Sequence, residues 1–350
     1  MNTAEAITDA PESQGAVKRK NCDLRDRERK ERRVRLASLP LQVQIEATNR
    51  CNLECASCAR NYYNPRTNRA GDFDPAAFPN LRPLLRAAER VLIGGYGEPL
   101  LGRHIDAILR LAADEGCFTE IITNSSFLDE RRVATLGELR VGRVLFSLDA
   151  ATDEHLRETR GVALADLLAR VDLLRAAAPD SLAAFNVTLT RRNAHQLAAI
   201  VDLAAAHDVA DVYVMHEKLY TRAHAGNSAL ALPEGELIAA FHRARERAVA
   251  TGVSLRLPPT SGVHECEQPL ELMMIRHDGA AFGCCSAMFA GGTHRIELGY
   301  LDRQDGATLW NAPAAQNARA RLYGLPHKDG PCDTCAFRVF TPEAMERFLD

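Results

Sequence analysis

Cys51, Cys55 and Cys58 stand within the run CNLECASC, three thiols in eight residues. Three thiolates can hold three irons of a four-iron, four-sulfur cluster and leave the fourth iron open to a substrate or cofactor. The same loop would serve a structural zinc site only by drawing a fourth ligand from elsewhere. A second group follows far down the chain: Cys266, Cys284, Cys285, Cys332 and Cys335, the last two as CDTC. Such a C-x-x-C pair supplies two adjacent ligands, and a hairpin between Cys266 and Cys284 can return the chain to the same pocket. Four thiolates, from Cys266, Cys284, Cys332 and Cys335, would then close either a cluster or a zinc knot. Cys22 lies in a charged stretch, and Cys117, in GCFTE, reads as a small buried residue at a helix-to-strand junction.

These thiols need a scaffold, and the chain carries a repeated strand-then-helix rhythm from residue 41. Strand-like runs are LQVQIEA (41–47), RVLIGGY (90–96), TEIITN (119–124), RVLFSLD (143–149), FNVTLT (185–190) and DVYVMH (211–216). Helix-like stretches such as HIDAILRLAADEG, VALADLLARVDLLRAAA and AHQLAAIVDLAAAH alternate with them, and LPEGELIAAFHRARERAV follows the sixth. Alternation of this kind makes a parallel sheet with right-handed crossovers, either doubly wound or an incomplete barrel. Function is then expected at the carboxyl ends of the strands. Beyond residue 252 the texture changes to short strands and turns, one helix-like piece (ATLWNAPAAQNARARLYG) and five of the ten cysteines. Before residue 41, KRKNCDLRDRERKERRVR (18–35) holds ten basic and four acidic side chains and predicts a solvated helix or flexible arm. The expected units are therefore a charged arm (1–40), a βα domain (41–252) and a cysteine-rich module (253–350).

Composition bounds the rest. Of 350 residues, 46% are hydrophobic and 25% charged, with a formal net charge of −3. That places the chain among globular proteins and excludes collagenous, fully disordered and strongly nucleic-acid-binding classes. The longest apolar runs are too short to span a bilayer, so no membrane partner is expected. The opening MNTAEAITDAPESQG has three acids and no apolar centre, unlike a signal peptide. A reducing cytoplasm is the expected location, where ten cysteines ask for metal rather than disulfides.

CxxxCxxC after the first strand of a βα repeat resembles the radical S-adenosylmethionine (SAM) superfamily. Further segments match in order. Gly94, Gly95, Tyr96, Gly97 and Glu98 end the second strand and resemble the family's glycine-glycine-glutamate segment, which holds the methionine amino group of SAM. Thr123-Asn124 ends the third strand where the family often has threonine-asparagine-glycine, with serine here in place of the glycine. Ser147, Asp149 and Arg160 resemble the residues that meet the ribose and carboxylate of SAM, a role that suits a bidentate guanidinium. Ser57 stands where the family often has an aromatic residue, which leaves adenine contacts there to the backbone. The C-terminal order of Cys-x-x-Pro, His-Asp-Gly, Cys-Cys, Trp-Asn and C-x-x-C resembles the shortened SPASM or "Twitch" extension.

The resemblance implies a partial (β/α)6 TIM-like barrel with a small C-terminal cysteine-rich iron-sulfur module. It implies SAM and two [4Fe-4S] clusters as cofactors and an external electron donor such as flavodoxin or ferredoxin. It also implies reductive cleavage of SAM to a 5′-deoxyadenosyl radical that takes hydrogen from substrate. Single-cluster extensions on chains of this size resemble dehydrogenases of aminocyclitols and epimerases of aminoglycosides in antibiotic pathways. Dehydrogenation would pass an electron to the auxiliary cluster; epimerisation would use a thiol, Cys285, as hydrogen donor. Glu217, at the sixth strand's end, and Tyr62 and Tyr63, after the cluster loop, are expected at the mouth. His277 and Asp278 are expected in a hairpin turn. The alternatives are a peptide-modifying maturase, for which the 40 residues before the first strand offer no strand-rich leader-binding unit, and a non-enzymatic iron-sulfur protein, which would need no SAM segment.

Overall fold

The computed structural model describes residues 13–62, 69–217, 226–260, 262–263, 266–284, 296–330, 332 and 339–340. Strands are β1 (Gln42–Ile45), β2 (Arg90–Ile93), β3 (Phe118–Thr123), β4 (Arg143–Ser147), β5 (Leu182–Leu189), β6 (Asp211–His216), β7 (Ser254–Arg256), β8 (Gly262–Val263), β9 (Leu272–Ile275), β10 (Ala280–Phe282), β11 (Glu297–Tyr300) and β12 (Val339–Phe340). Helices are α1 (Gln14–Lys30), α2 (Phe78–Ala87), α3 (Ile105–Asp114), α4 (Glu130–Glu138), α5 (Asp153–Arg160), α6 (Leu164–Ala177), α7 (Leu197–Ala206), α8 (Glu234–Thr251), α9 (Gln268–Glu271), α10 (Gly306–Trp310) and α11 (Pro313–Leu322). One ten-stranded sheet runs in the order β11-β10-β9-β1-β2-β3-β4-β5-β6-β7, and β8 pairs with β12. From β9 through β7 every pairing is parallel. The six expected strands are all present, flanked by the expected helices, as a partial barrel.

Alternation along the strands sets what faces the helices. Val43, Ile45, Val91, Ile93, Ile121, Val144, Phe146, Phe185 and Val187 are buried in the main core, so the interleaved positions face the barrel interior. Among these are Gln44, Glu46, Asn186 and Tyr213.

Three features differ from the sequence expectation. First, the cysteine-rich segment is continuous with the barrel sheet: β7 pairs with β6, and β9 pairs in parallel with β1 through Gln42↔Leu272 to Ile45↔Ile275. LMMI is apolar enough for burial on both faces, and that is what the register gives it. Second, the charged arm is a docked helix rather than a solvated one. Lys18 is buried and its ammonium caps α2, donating to the carbonyls of Leu85 and Ala88. Glu28 is buried and accepts from the Ala37 and Ser38 amides and the Ser38 hydroxyl. Arg25 and Arg29 pair with Glu271 and Glu267 beside α9. Charges that look solvated in one dimension are here matched to carbonyls and carboxylates far along the chain. Third, the single helix expected over 307–324 is two, because Pro313 cannot continue a helix but begins one well. No helix among the described residues is long and apolar enough to cross a membrane.

Candidate functional site

The loop after β1 carries Cys51, Cys55 and Cys58, all partly exposed, and is stitched locally and at a distance. The Cys58 amide donates to the Cys55 carbonyl at 3.0 Å, and the Ala56 amide to the Thr159 carbonyl at 2.9 Å. Arg60 donates to the Cys51 carbonyl at 3.1 Å, and Asn61 to that of Cys55 at 3.0 Å. Burial pushes the Cys55 and Cys58 thiols up; Arg160 opposes this at Cys55, and a backbone bond from Arg60 opposes it at Cys58. Free thiolates are disfavoured there, so a cationic centre bound to all three would supply the missing compensation. Among the described residues no three His, Cys, Asp or Glu side chains gather around a point that would hold one metal ion. A four-iron cluster does not ask for that, since each thiolate meets a different iron.

The loop after β2 lies directly on the cysteine loop. A Cβ on Gly97 would fall 2.2 Å from the Thr48 carbonyl oxygen and 2.6 Å from that of Arg50; one on Gly95 would fall 2.5 Å from Glu46 Cγ. Only glycine permits that approach. The Tyr96 amide donates to Glu46 Oε1 at 3.0 Å.

Glu98 follows at the end of that loop. It is buried, and its carboxylate accepts from Thr123 Oγ1 at 2.7 Å, the Asn124 amide at 2.7 Å and the Leu100 amide at 3.2 Å. Burial raises its pKa to about 6 against the lowering effect of these donors. Glu98 therefore ties the end of β2 to the end of β3. Asn124 extends the tie to the cysteine loop, donating through Nδ2 to Asn52 Oδ1 at 3.0 Å with Cys51 Sγ 3.7 Å away.

At the end of β4, Ser147 and Asp149 are buried. Asp149 Oδ2 accepts from Arg160 Nε at 2.6 Å, and its Oδ1 accepts from the Thr188 amide at 2.7 Å. Burial disfavours the Arg160 cation, but Asp149 and the Cys55 thiol outweigh it and raise the pKa. Arg160 thus sits between a carboxylate and the cysteine loop.

Glu217 follows β6. It is buried, accepts from Asn227 Nδ2 at 2.9 Å and interacts with Ser57, the residue before Cys58. Its Oε1 is buried without a hydrogen-bond partner among the described residues. Burial pushes its carboxyl up, partly offset by Ser57 and Asn227. Asn186, in register with Ser147, likewise has a buried Oδ1 without such a partner. Two buried acceptors without a partner among the described residues are the observation that a bound group fits, since such atoms are ordinarily satisfied by a donor. The sequence reading missed Asn186, whose signal was an amide inside the apolar run FNVTLT.

Of the C-terminal ligand set, Cys284 and Cys332 are half-buried against the main core and Cys266 is half-buried before α9. Cys266 and Cys284 flank the β9–β10 hairpin as expected. Cys285, Cys335 and Tyr63 lie outside the described residues, as does the Tyr62 side chain. His277 and Asp278 form the hairpin turn, but His277 is also buried, with Nδ1 2.7 Å from Glu46 Oε2. Lys18 Nζ is 3.4 Å from Cys117 Sγ, and the Cys117 thiol donates to the Leu85 carbonyl at 3.1 Å.

Comparison with known proteins agrees with this geometry. Residues 45–204 match the model of the radical SAM superfamily, and residues 266–336 match that of the SPASM iron-sulfur cluster-binding domain. A PqqA peptide cyclase from Rhodopseudomonas palustris is 24% identical over 316 residues, covering 86% of this chain and 80% of the relative. The S-adenosyl-L-methionine-dependent 2-deoxy-scyllo-inosamine dehydrogenase of Niallia circulans is 28% identical over 120 residues, or 33% of this chain and 47% of the relative. In fold, the chain resembles Streptococcus suis SuiB bound to S-adenosylmethionine, with a TM-score of 0.68 at 17% identity, covering 86% of this chain and 72% of SuiB. The two matched domains imply SAM and [4Fe-4S] clusters as cofactors. The chain belongs to the radical SAM superfamily, an enzyme that carries a SPASM domain after its radical SAM domain.

Proposed function

We propose that this enzyme dehydrogenates a secondary alcohol of an aminocyclitol or aminoglycoside. When bound, SAM on the open-iron cluster supplies hydrogen-atom abstraction, and the C-terminal cluster supplies an acceptor for the second electron. Cys51, Cys55 and Cys58 would hold the first cluster; Cys266, Cys284, Cys332 and Cys335 would hold the second. Gly95, Tyr96 and Gly97 bring the β2 loop to the SAM methionine end, with Glu98 and Asn124 fixing that loop, while Ser147, Asp149 and Arg160 border its ribose and carboxylate. Glu217 Oε1 would accept the proton of the carbinol hydroxyl. A carboxyl pushed up by burial is a stronger base once ionised than an exposed one. The balance is then complete: the carbon loses a hydrogen atom, the oxygen loses a proton to Glu217, one electron leaves, and a ketone forms.

What favours oxidation over inversion is the SPASM-type segment itself: Cys266, Cys284, Cys332 and Cys335 would hold a cluster able to take the second electron, wherever Cys285 lies. A second reading, a peptide-modifying enzyme, is favoured by the match to the PqqA peptide cyclase along 86% of this chain.

One experiment separates the readings. Reduced enzyme with SAM is incubated in heavy water with aminocyclitols or with candidate peptides, and 5′-deoxyadenosine and product mass are read together. The expected result is one ketone per 5′-deoxyadenosine and no solvent deuterium on the reacting carbon. Deuterium at an inverted carbon, or turnover of peptides alone, would overturn the proposal.

A further inference from the structure

Glu46 is wholly buried at the carboxyl end of β1, and every acceptor position on it that faces a donor is used. Oε1 takes the Tyr96 amide at 3.0 Å; Oε2 takes the His277 amide at 3.3 Å and His277 Nδ1 at 2.7 Å. The other ring nitrogen, Nε2, lies 3.2 Å from the Arg69 carbonyl oxygen. The Arg69 carbonyl can only accept, so Nε2 donates to it, and one proton is shared along the Nδ1–Glu46 contact. His277 is therefore held at both ring nitrogens, between Glu46 and the 69–74 segment. Burial alone would lower the His277 pKa, but Glu46 outweighs that and raises it, with Asp278 and Arg276 of the same turn acting in opposite senses.

The backbone repeats the connection. The Glu46 amide donates to the Ile275 carbonyl at 2.9 Å, and the Asp74 amide to the His277 carbonyl at 2.8 Å. Gly95 rests against the Glu46 stem closely enough that no Cβ would fit. The hairpin tip of the C-terminal segment thus touches one carboxylate, and the opposite oxygen of that carboxylate holds the loop before Glu98.

We propose that Glu46 and His277 are positioning residues through which the C-terminal segment sets the Gly94–Glu98 loop for SAM. The inference rests on the reading of that loop as the SAM-binding loop. Neither residue need touch the cofactor; without the bridge the Tyr96 amide loses its acceptor and the loop loses its reference to the β9–β10 turn.

The test uses full-length, iron-loaded enzyme and reads three quantities: SAM dissociation constant by equilibrium dialysis, iron per chain, and thermal midpoint. Glu46→Met and His277→Phe should each weaken SAM binding about tenfold or more, the size expected when a buried donor is left without its acceptor. Iron content should stay at the wild-type level. Glu46→Gln should recover to within about threefold, because its amide oxygen can still take Tyr96 and its NH2 can donate to a neutral His277 ring. The double variant Glu46→Met with His277→Phe should be no weaker than the worse single, as required of one shared bridge. SAM affinity within twofold of wild type in both single variants, or additive losses in the double, would overturn the proposal. Where His277→Phe loses iron, His277→Asn decides instead: it keeps a donor toward Glu46 and should stay within about threefold, and a tenfold loss there counts against the bridge. A wild-type enzyme that binds no SAM would refute the loop assignment itself, which is distinct from variants that bind as well as wild type.

Discussion

The Asp149–Arg160 pair offers the sharpest test of the site. The two side chains are 11% and 12% exposed and meet at 2.6 Å, so solvent screens them only weakly. Removing one member of a buried pair costs about 3–5 kcal/mol, because the other charge is left behind. With a tenth of each side chain open to water, and Asp149 still bonded to the Thr188 amide, Arg160→Ala should lie near the low end, about 3 kcal/mol. For a chain of this size that is a fall of several degrees in thermal midpoint. A second effect should appear in SAM binding: loss of one charge-assisted hydrogen bond, about 1.5–3 kcal/mol, weakens affinity about 10- to 150-fold. Asp149→Asn separates the two effects, since it removes the pair's attraction but leaves the guanidinium in place; it should lose stability while losing less SAM affinity than Arg160→Ala. Calorimetric titration of SAM into iron-loaded enzyme, beside thermal denaturation, measures both. If Arg160→Ala folds, keeps its iron and binds SAM within twofold of wild type, then Arg160 serves Asp149 alone and its assignment to SAM is wrong.

Other outcomes follow from the same geometry. Anaerobically reconstituted enzyme should hold close to eight irons, the sum of two four-iron clusters, and a triple alanine variant at Cys51, Cys55 and Cys58 about half of them; zinc in place of the second four irons would reject the auxiliary cluster. Glu98 has a folded pKa of about 6 against an ordinary 4.5, so the folded state binds the extra proton between those values. Its contribution is full well below pH 4.5 and is lost as pH rises through 6, by about 2 kcal/mol in all. The stability of wild type relative to Glu98→Gln, from urea unfolding, should fall by about 1.5 kcal/mol between pH 4.5 and 6.5, and a flat difference would contradict the buried placement. Glu217→Gln should keep SAM affinity within about threefold yet slow ketone formation by about 10²-fold or more; an unchanged rate would remove Glu217 from proton transfer.

What the sequence determined by itself was local and periodic. The spacing of Cys51, Cys55 and Cys58 is a property of one loop, and the alternation of apolar residues in FNVTLT or DVYVMH is a property of one strand; both survive without knowledge of any partner. Because β-strand and helix periods are short, six strands and their succession along the chain were legible, and so was the end of the sheet at which the site is expected. Whatever needed a partner far along the chain was not. KRKNCDLRDRERKERRVR has the composition of a solvated helix, yet Lys18 is satisfied by carbonyls of α2 and Arg25 by Glu271, groups that only folding brings near. His277-Asp278-Gly279 has turn chemistry, which is correct, but the imidazole is claimed by a carboxylate 231 residues earlier. Glu98 was legible by its position in the glycine-rich segment, but its bonds to Thr123 and the Asn124 amide exist only because β2 and β3 pair side by side. Nor does any local pattern say that LMMI pairs beside β1, since a buried apolar run fits any parallel neighbour equally well. That choice belongs to the closing sheet, where each strand's hydrogen bonds are satisfied only by the strand that tertiary packing sets next to it.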